Sequence, residues 1–243
     1  MFIIRLLISL SVVFLVLGLF FLILVLVQPE WLMARMRARS PEVLYSIDTN
    51  RKIVALTIDD GPDETHSIKI MELLEEYQAH ATFFLITDRI PGNEAVLEQM
   101  IRKGHEIGNH LTEDEPSIQQ SLESFEQDLL NSDRILSQYG EIAWMRPGSG
   151  WFNEKMLEII KEHDYQIALG SIYPYDPQIN LAWYSAKFVL WKAKPGAVIV
   201  LHDYQKRGER TVEALRMILP ELTERGYQIV TLSTLVDSQN GSH

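Results

Sequence analysis

The sequence predicts an α/β domain of parallel strands carried behind a membrane-spanning helix. Two observations predict the domain. After residue 50, short apolar runs rich in β-branched residues alternate with amphipathic stretches, and Gly and Pro fall between them rather than inside them. A third observation predicts the helix: Leu6 to Val27 is 22 residues without a charge, enough at 1.5 Å per residue to cross a bilayer core of about 30 Å. The stretch is longer than the apolar run of a cleaved signal, and Gln28-Pro29-Glu30-Trp31 follows it instead of small residues. An uncleaved anchor over residues 6–27 is expected.

Taken in order, Lys52–Ile58 reads as a buried parallel strand. Thr65 or Ser67 can cap a helix through Tyr77. Ala81–Thr87 is a second strand, Glu94–Lys103 a helix stopped by Gly104, and Glu106–Asn109 a short third strand. Ser117–Tyr139 carries Ile118, Leu122, Phe125, Leu129 and Leu136 on one stripe and predicts one long helix. Ala143–Met145 is the fourth strand, followed by a helix capped by Asn153 and running through Glu162. Gln166–Ser171, Ala197–Leu201 and Gln228–Leu232 complete seven strands, with helices over Leu181–Lys192 and Thr211–Arg225 between them. Such alternation fits an open doubly wound sheet or a closed or incomplete barrel. In both, polar sites collect at the C-terminal strand ends.

Composition removes several functions. There is no cysteine, so disulfides, thiolate metal sites and cysteine nucleophiles are excluded. The net charge of −11 is uneven: residues 1–40 hold four arginines and one acid, and the remainder carries 18 basic against 32 acidic residues. A body at −14 repels phosphate backbones, so no nucleic-acid partner is expected.

The strand ends carry the chemistry. Strand one runs into Asp59-Asp60-Gly61-Pro62. Adjacent carboxylates on a strand point differently, so one can bind a metal while the other accepts a proton; Asp-Gly-Pro is also ordinary turn chemistry. After strand three, His110 and Asp114 are four apart, which would set both on one side of a helical turn and suit zinc or a similar divalent ion. Arg146 follows strand four and can orient a carboxylate, while Gly148-Ser149-Gly150 offers backbone N–H groups to an oxyanion. His202 follows strand six directly and can protonate a leaving group, with Asp176 or Asp203 fixing its tautomer. The remaining histidines (His66, His80, His105, His163 and His243) are expected in solvent, and the sequon at Asn240 lies in a tail.

Thr57-Ile58-Asp59-Asp60-Gly61-Pro62 resembles the T-F-D-D-G-P signature of the polysaccharide deacetylases of the NodB type, the family-4 carbohydrate esterases. His110…Asp114 stands for that family's H-x-x-x-H, Arg146-Pro147-x-x-Gly150 for R-P-P-x-G, Tyr173-x-x-Asp176 for D-x-x-D, and Val200-Leu201-His202-Asp203 for L-x-H. The resemblance covers about residues 51–236. It implies an incomplete or distorted (β/α) barrel of about seven strands and metal-assisted removal of N-acetyl groups from an N-acetylglucosamine glycan, a chitin-like oligomer or a wall polysaccharide. Matched position by position, Asp59 would be the general base held by Arg146. His202 would be the general acid oriented by Asp176. Asp60, His110 and Asp114 would be the metal ligands, and the residue-149 N–H would face the oxyanion. The metal would be divalent, zinc first, with manganese, cobalt or magnesium as alternatives.

Three departures follow. Asp114 replaces a histidine ligand. Tyr173 and Pro177 replace the first Asp of D-x-x-D and the Trp after it. The loop R-P-G-S-G lacks an aromatic, so a wall of the sugar groove is expected to be missing. A catalytically weak or inactive glycan-binding relative and a hydrolase of another non-peptide C–N bond are the alternative functions. The expected organisation is an anchor at 6–27, a juxtamembrane linker at 28–50, the domain at 51–236 and a tail at 237–243. The partners expected are a glycan and, through the N-terminal helix, a membrane. Arg35, Arg37 and Arg39 after the span favour a cytoplasmic body, but a wall substrate requires the opposite, and long domains translocate largely regardless of charge. The expected location is a single-pass membrane protein with the body outside the cytoplasm.

Overall fold

The computed structural model describes residues 2–240, with the side chains of residues 2–9, 11, 22, 25 and 240 left out. The chain divides into two units that meet between Pro41 and Glu42. The first holds helix α1 (Phe2–Val27) and helix α2 (Glu30–Arg39), which starts just after Pro29, where a missing N–H costs nothing. Among the described residues no helix is long and apolar enough to cross a membrane, and several side chains of the expected span over 6–27 lie outside the description. The sequon's Gly241 and Ser242, His243 and the end of the expected tail also lie outside the described residues.

The second unit is an α/β domain. Its strands are β1 (Val43–Leu44), β2 (Ile53–Asp59), β3 (Ala81–Leu85), β4 (Glu106–Asn109), β5 (Trp144–Met145), β6 (Gln166–Ala168), β7 (Val198–His202) and β8 (Gln228–Val230). The order is β1-β6-β5-β4-β3-β2-β7, with β8 pairing the first half of β2. Every ladder is parallel. Beyond β6 the chain reaches round to β7, where Ile172 bridges Ile199, so β2 to β8 form an incompletely closed barrel rather than an open sheet. Strand β2 is buried along its whole length, as a central parallel strand must be.

Helices α3 (His66–Glu76), α4 (Glu94–Arg102), α5 (Leu122–Leu136), α6 (Glu154–Glu162), α7 (Ala182–Lys192), α8 (Lys206–Glu224) and α9 (Leu232–Asn240) alternate with the strands. The apolar stripes of α3, α4, α7 and α8 pack on Phe83, Leu85, Leu56 and Ile199. Asn153 caps α6 by accepting from the Met156 N–H, as the sequence predicts.

Several boundaries differ, each for a local reason. Neither Thr65 nor Ser67 caps α3; Asp63 does so, accepting from the Thr65 and His66 N–H groups at 3.0 and 2.8 Å. The long helix expected over 117–139 breaks at Gln120, and α5 starts afresh behind Ser121, whose hydroxyl accepts from the Ser124 N–H. The last strand stops at Val230, and α9 begins two residues later with Leu232 and Leu235 in the core. Strand β1 lies inside the stretch read as linker, and α8 begins five residues earlier than expected.

Candidate active site

Asp59 ends β2, His202 ends β7, His110 follows β4 and Arg146 follows β5, so the parallel ladder brings all four to one rim. Together with Asp60 they line a cavity of about 520 Å³. That volume is in the range of a small-ligand site.

Asp59 and Arg146 form a buried pair. Arg146 Nη1 donates to Asp59 Oδ1 at 2.5 Å and to Thr57 Oγ1 at 2.8 Å, and Nε donates to the Ala168 carbonyl at 2.7 Å. The guanidinium also lies 4.2 Å over the Phe84 ring. Both charges are 3–4% exposed, so neither is tolerable there without the other.

His202 is held on the opposite side of Asp59. Its Nδ1 lies 3.0 and 3.1 Å from the two Asp176 oxygens, and its backbone N–H donates to the same carboxylate at 3.1 Å. Of the two aspartates that could set its tautomer, Asp176 does so. Asp203 turns away and accepts from the Ser67 hydroxyl. Burial alone would lower the His202 pKa, but Asp176, aided by Asp60 and Asp59, raises it to about 9. Burial pushes the Asp203 carboxyl up to about 8. The Tyr173 ring packs edge-on against His202 at 5.8 Å.

Asp60 and His110 face each other. His110 Nδ1 donates to the Arg146 carbonyl at 2.7 Å, which leaves Nε2 directed at Asp60 Oδ1, 3.6 Å away. Burial opposes the charge on Asp60, yet His110, His202 and Arg207 hold its carboxyl well below the usual range. The divalent ion implied by the resemblance fits this pair: a buried carboxylate and an imidazole whose other nitrogen is fixed are suitable donors.

Asp114 stands differently. The helical turn expected from its spacing does not form, because Leu111 takes a left-handed φ of 70° and the chain to Pro116 is irregular. The Asp114 carboxylate, 42% exposed, lies 3.3 Å from Arg89 and 3.3 Å from Arg207. Among the described residues no three His, Asp or Glu side chains gather into a metal-holding group.

Sequence reasoning missed other residues here. Arg207 Nη1 lies 2.5 Å from Asp60 Oδ2, and Arg89 Nη1 donates to the Asp60 carbonyl at 2.5 Å while stacking on Tyr204. The signal for Arg207 was an arginine five residues after His202, hidden by starting the helix too late. The aromatic wall expected to be missing is supplied one residue beyond the loop: Trp151, 67% exposed, lines the cavity with Tyr173 and Tyr175. Ser149 also lines it, with φ 59°. The N–H groups on either side of Ser149 are taken, by Ser117 Oγ at 2.7 Å and the Pro147 carbonyl at 2.9 Å. Among the histidines expected in solvent, His105 is instead buried, accepts from the Ala81 N–H, and is held by burial at a pKa of about 4.

Barrel strands ending in an acid–arginine pair and an acid–histidine pair around one cavity define a hydrolase rim. A family model described as polysaccharide deacetylase matches residues 46–168. The chain is 37% identical over 198 residues to a peptidoglycan-N-acetylglucosamine deacetylase of Bacillus cereus, covering 80% of this chain and 92% of that protein. The structure of peptidoglycan deacetylase PdaC from Bacillus subtilis superposes with a TM-score of 0.73 at 28% identity, covering 80% of this chain and 94% of that one. A family 4 acetyl xylan esterase from Clostridium thermocellum, solved with a cobalt ion, gives a TM-score of 0.72 at 29% identity, with 78% and 92% covered. The chain belongs to the polysaccharide deacetylase family, and it is a hydrolase of carbon–nitrogen bonds other than peptide bonds.

Proposed function

We propose that this protein is a membrane-anchored, divalent-metal-dependent deacetylase that removes N-acetyl groups from N-acetylglucosamine units of peptidoglycan or a similar wall glycan. The observation that carries the reading is the pairing of Asp59 with Arg146 and of His202 with Asp176 on the two sides of one cavity. The Bacillus cereus relative supports the substrate class, and the cobalt complex supports a divalent ion.

Asp60 and His110 would hold that ion, with Asp114 as the third ligand. Bound there, it would polarise the amide carbonyl and lower the pKa of water. Asp59, locked by Arg146, takes the proton of the attacking water. The Ser149 N–H, on a loop that lines the cavity, would face the tetrahedral oxyanion that forms. His202 holds its proton because Asp176 faces Nδ1, and it gives the Nε2 proton to the departing amine. The C–N bond breaks, leaving acetate and a free amine on the sugar. Trp151 and Tyr175 offer faces on which a sugar ring can pack.

The anchor rests on the uncharged run Leu6–Val27 and on the described side chains of α1: Phe14, Leu15 and Phe21 are 71, 72 and 68% exposed. An apolar surface of that kind needs a lipid or protein cover. Acetate release from a panel of chitooligosaccharides and peptidoglycan tests the activity, with Asp59→Asn as the blank; no acetate from metal-supplemented protein overturns it. A reporter fused after His243 tests the side of the membrane, and a signal confined to the cytoplasm overturns the wall-glycan version.

A further inference from the structure

The buried Asp60 carboxylate has both oxygens engaged by nitrogen. Oδ1 faces His110, and Oδ2 accepts from Arg207 Nη1 at 2.5 Å. The same Nη1 lies 3.3 Å from Asp114 Oδ2. One guanidinium nitrogen thus bridges two of the three side chains assigned above to a divalent ion. A buried carboxylate needs a cation, and Arg207 is that cation here.

Arg207 is built into position yet free to leave. It sits in the first turn of α8, and Gly208 beside it packs directly on the chain after β7: a Cβ there would meet the Asp203 carbonyl oxygen at 2.1 Å. That close approach sets the first turn of α8 at the rim. The Arg207 side chain is 36% exposed, so a change of rotamer carries it into solvent without unpacking the core. Arg89 holds Asp114 from the other side and the Asp60 carbonyl as well, so the loop keeps a second cation when Arg207 swings away.

The geometry points to Arg207 as a displaceable internal cation: it competes with a divalent ion for Asp60 and Asp114, and the ion loads only as the guanidinium swings out. Two cations cannot share Asp60 Oδ2 at hydrogen-bonding distance, so occupancy by one weakens the other, and the coupling is reciprocal. Arg207 would set the metal affinity of this chain and would release Asp114 to act as a ligand. The inference rests on the deacetylase reading for the ion's role, but its test reads metal binding and not turnover.

The full chain in detergent micelles, stripped of metal, is titrated with Zn²⁺ and Co²⁺ against a chromophoric chelator. Arg207→Gln should bind either ion more tightly, by about 5- to 150-fold, the usual span of a coupling between two sites. The Co²⁺ absorption spectrum should report the ion in the protein at concentrations where the parent shows little. Affinity within twofold of the parent, weaker binding, or no binding by either protein overturns the inference. A second measurement needs no variant. Phenylglyoxal modification of Arg207 in the parent, followed by mass spectrometry, should accelerate severalfold at saturating Zn²⁺; an unchanged or slower rate overturns it. An Arg207→Gln chain that binds tightly but frees no acetate supports the inference and counts against the deacetylase reading. Acetate release with unchanged metal affinity does the reverse.

Discussion

Asp59 and His202 are register partners across the adjacent parallel strands β2 and β7, so the candidate base and the candidate acid leave the sheet at the same level. Each is then turned by a different neighbour: Asp59 by Arg146 at 2.5 Å, His202 by Asp176 at 3.0 Å. The pair is a product of strand register, and a slip of one residue would send one of the two side chains to the other face.

Replacing either member should remove the proton transfer it performs. Asp59→Asn keeps shape and an acceptor for Arg146 but loses the opposite charge, and His202→Ala opens space and takes the imidazole partner from buried Asp176. Each should lower acetate release by roughly 10²-fold or more with the circular dichroism spectrum unchanged. A variant with near-parental turnover would show that its residue does not carry the role.

The alkaline limb of the activity profile should follow His202. Its pKa is raised to about 9 because the charge of Asp176 outweighs the cost of burial. The acid form therefore persists through neutral pH and is lost as pH rises toward that value. Asp176→Asn removes the charge that raises it, so the limb should move to lower pH. A limb that stays in place assigns the titration to another group.

Arg146 holds a buried negative charge, and removing it should be felt in folding as well as in rate. Arg146→Leu leaves Asp59 unpaired at 4% side-chain exposure, at a cost of roughly 3–5 kcal/mol. Urea unfolding of the full chain in detergent measures it, and a loss below about 1 kcal/mol would mean that solvent reaches Asp59.

Gly148 closes the loop that carries Ser149. A Cβ at this position would meet the Glu115 carbonyl oxygen at 1.9 Å, so Gly148→Ala must push apart the two loops flanking the cavity. Displacement by about 1 Å at a reacting centre can cost of order 10²-fold, so turnover should fall on that scale while the fold persists. Parental turnover in this variant would place the oxyanion elsewhere.

Asp114 is one of the three places where this chain departs from the pattern it resembles. Asp114→His restores an imidazole and removes a carboxylate that two arginines now share. It should shift metal preference from Mn²⁺ toward Zn²⁺, and Asp114→Ala should lose metal. Occupancy unchanged in Asp114→Ala by elemental analysis would leave Asp60 and His110 as the only protein ligands.

The amino-acid sequence alone determined the strands and what stands at their ends. Ile53–Ile58 and Val198–Leu201 are short, largely apolar, β-branched runs that suit buried parallel strands, so Asp59, Asp60 and His202 were expected together at the C-terminal strand ends. That Arg146 could orient a carboxylate was legible from its place after a strand, while its pairing with Asp59 came from the family resemblance. Tertiary structure decided the rest. The placement of Asp114 turned on a left-handed φ at Leu111, a conformation that spacing along a helix does not reveal. The choice of Asp176 over Asp203 as the partner of His202 turned on Ser67, which lies 136 positions from Asp203 in the chain. Arg207 reaches Asp60 across 147 positions, and only the start of α8, set by the contact between Gly208 and Asp203, brings it there. Local pattern fixes which backbone becomes strand or helix because those hydrogen bonds are short-range. Which cation meets which carboxylate depends on distant segments packing to within an ångström, and no local pattern encodes that.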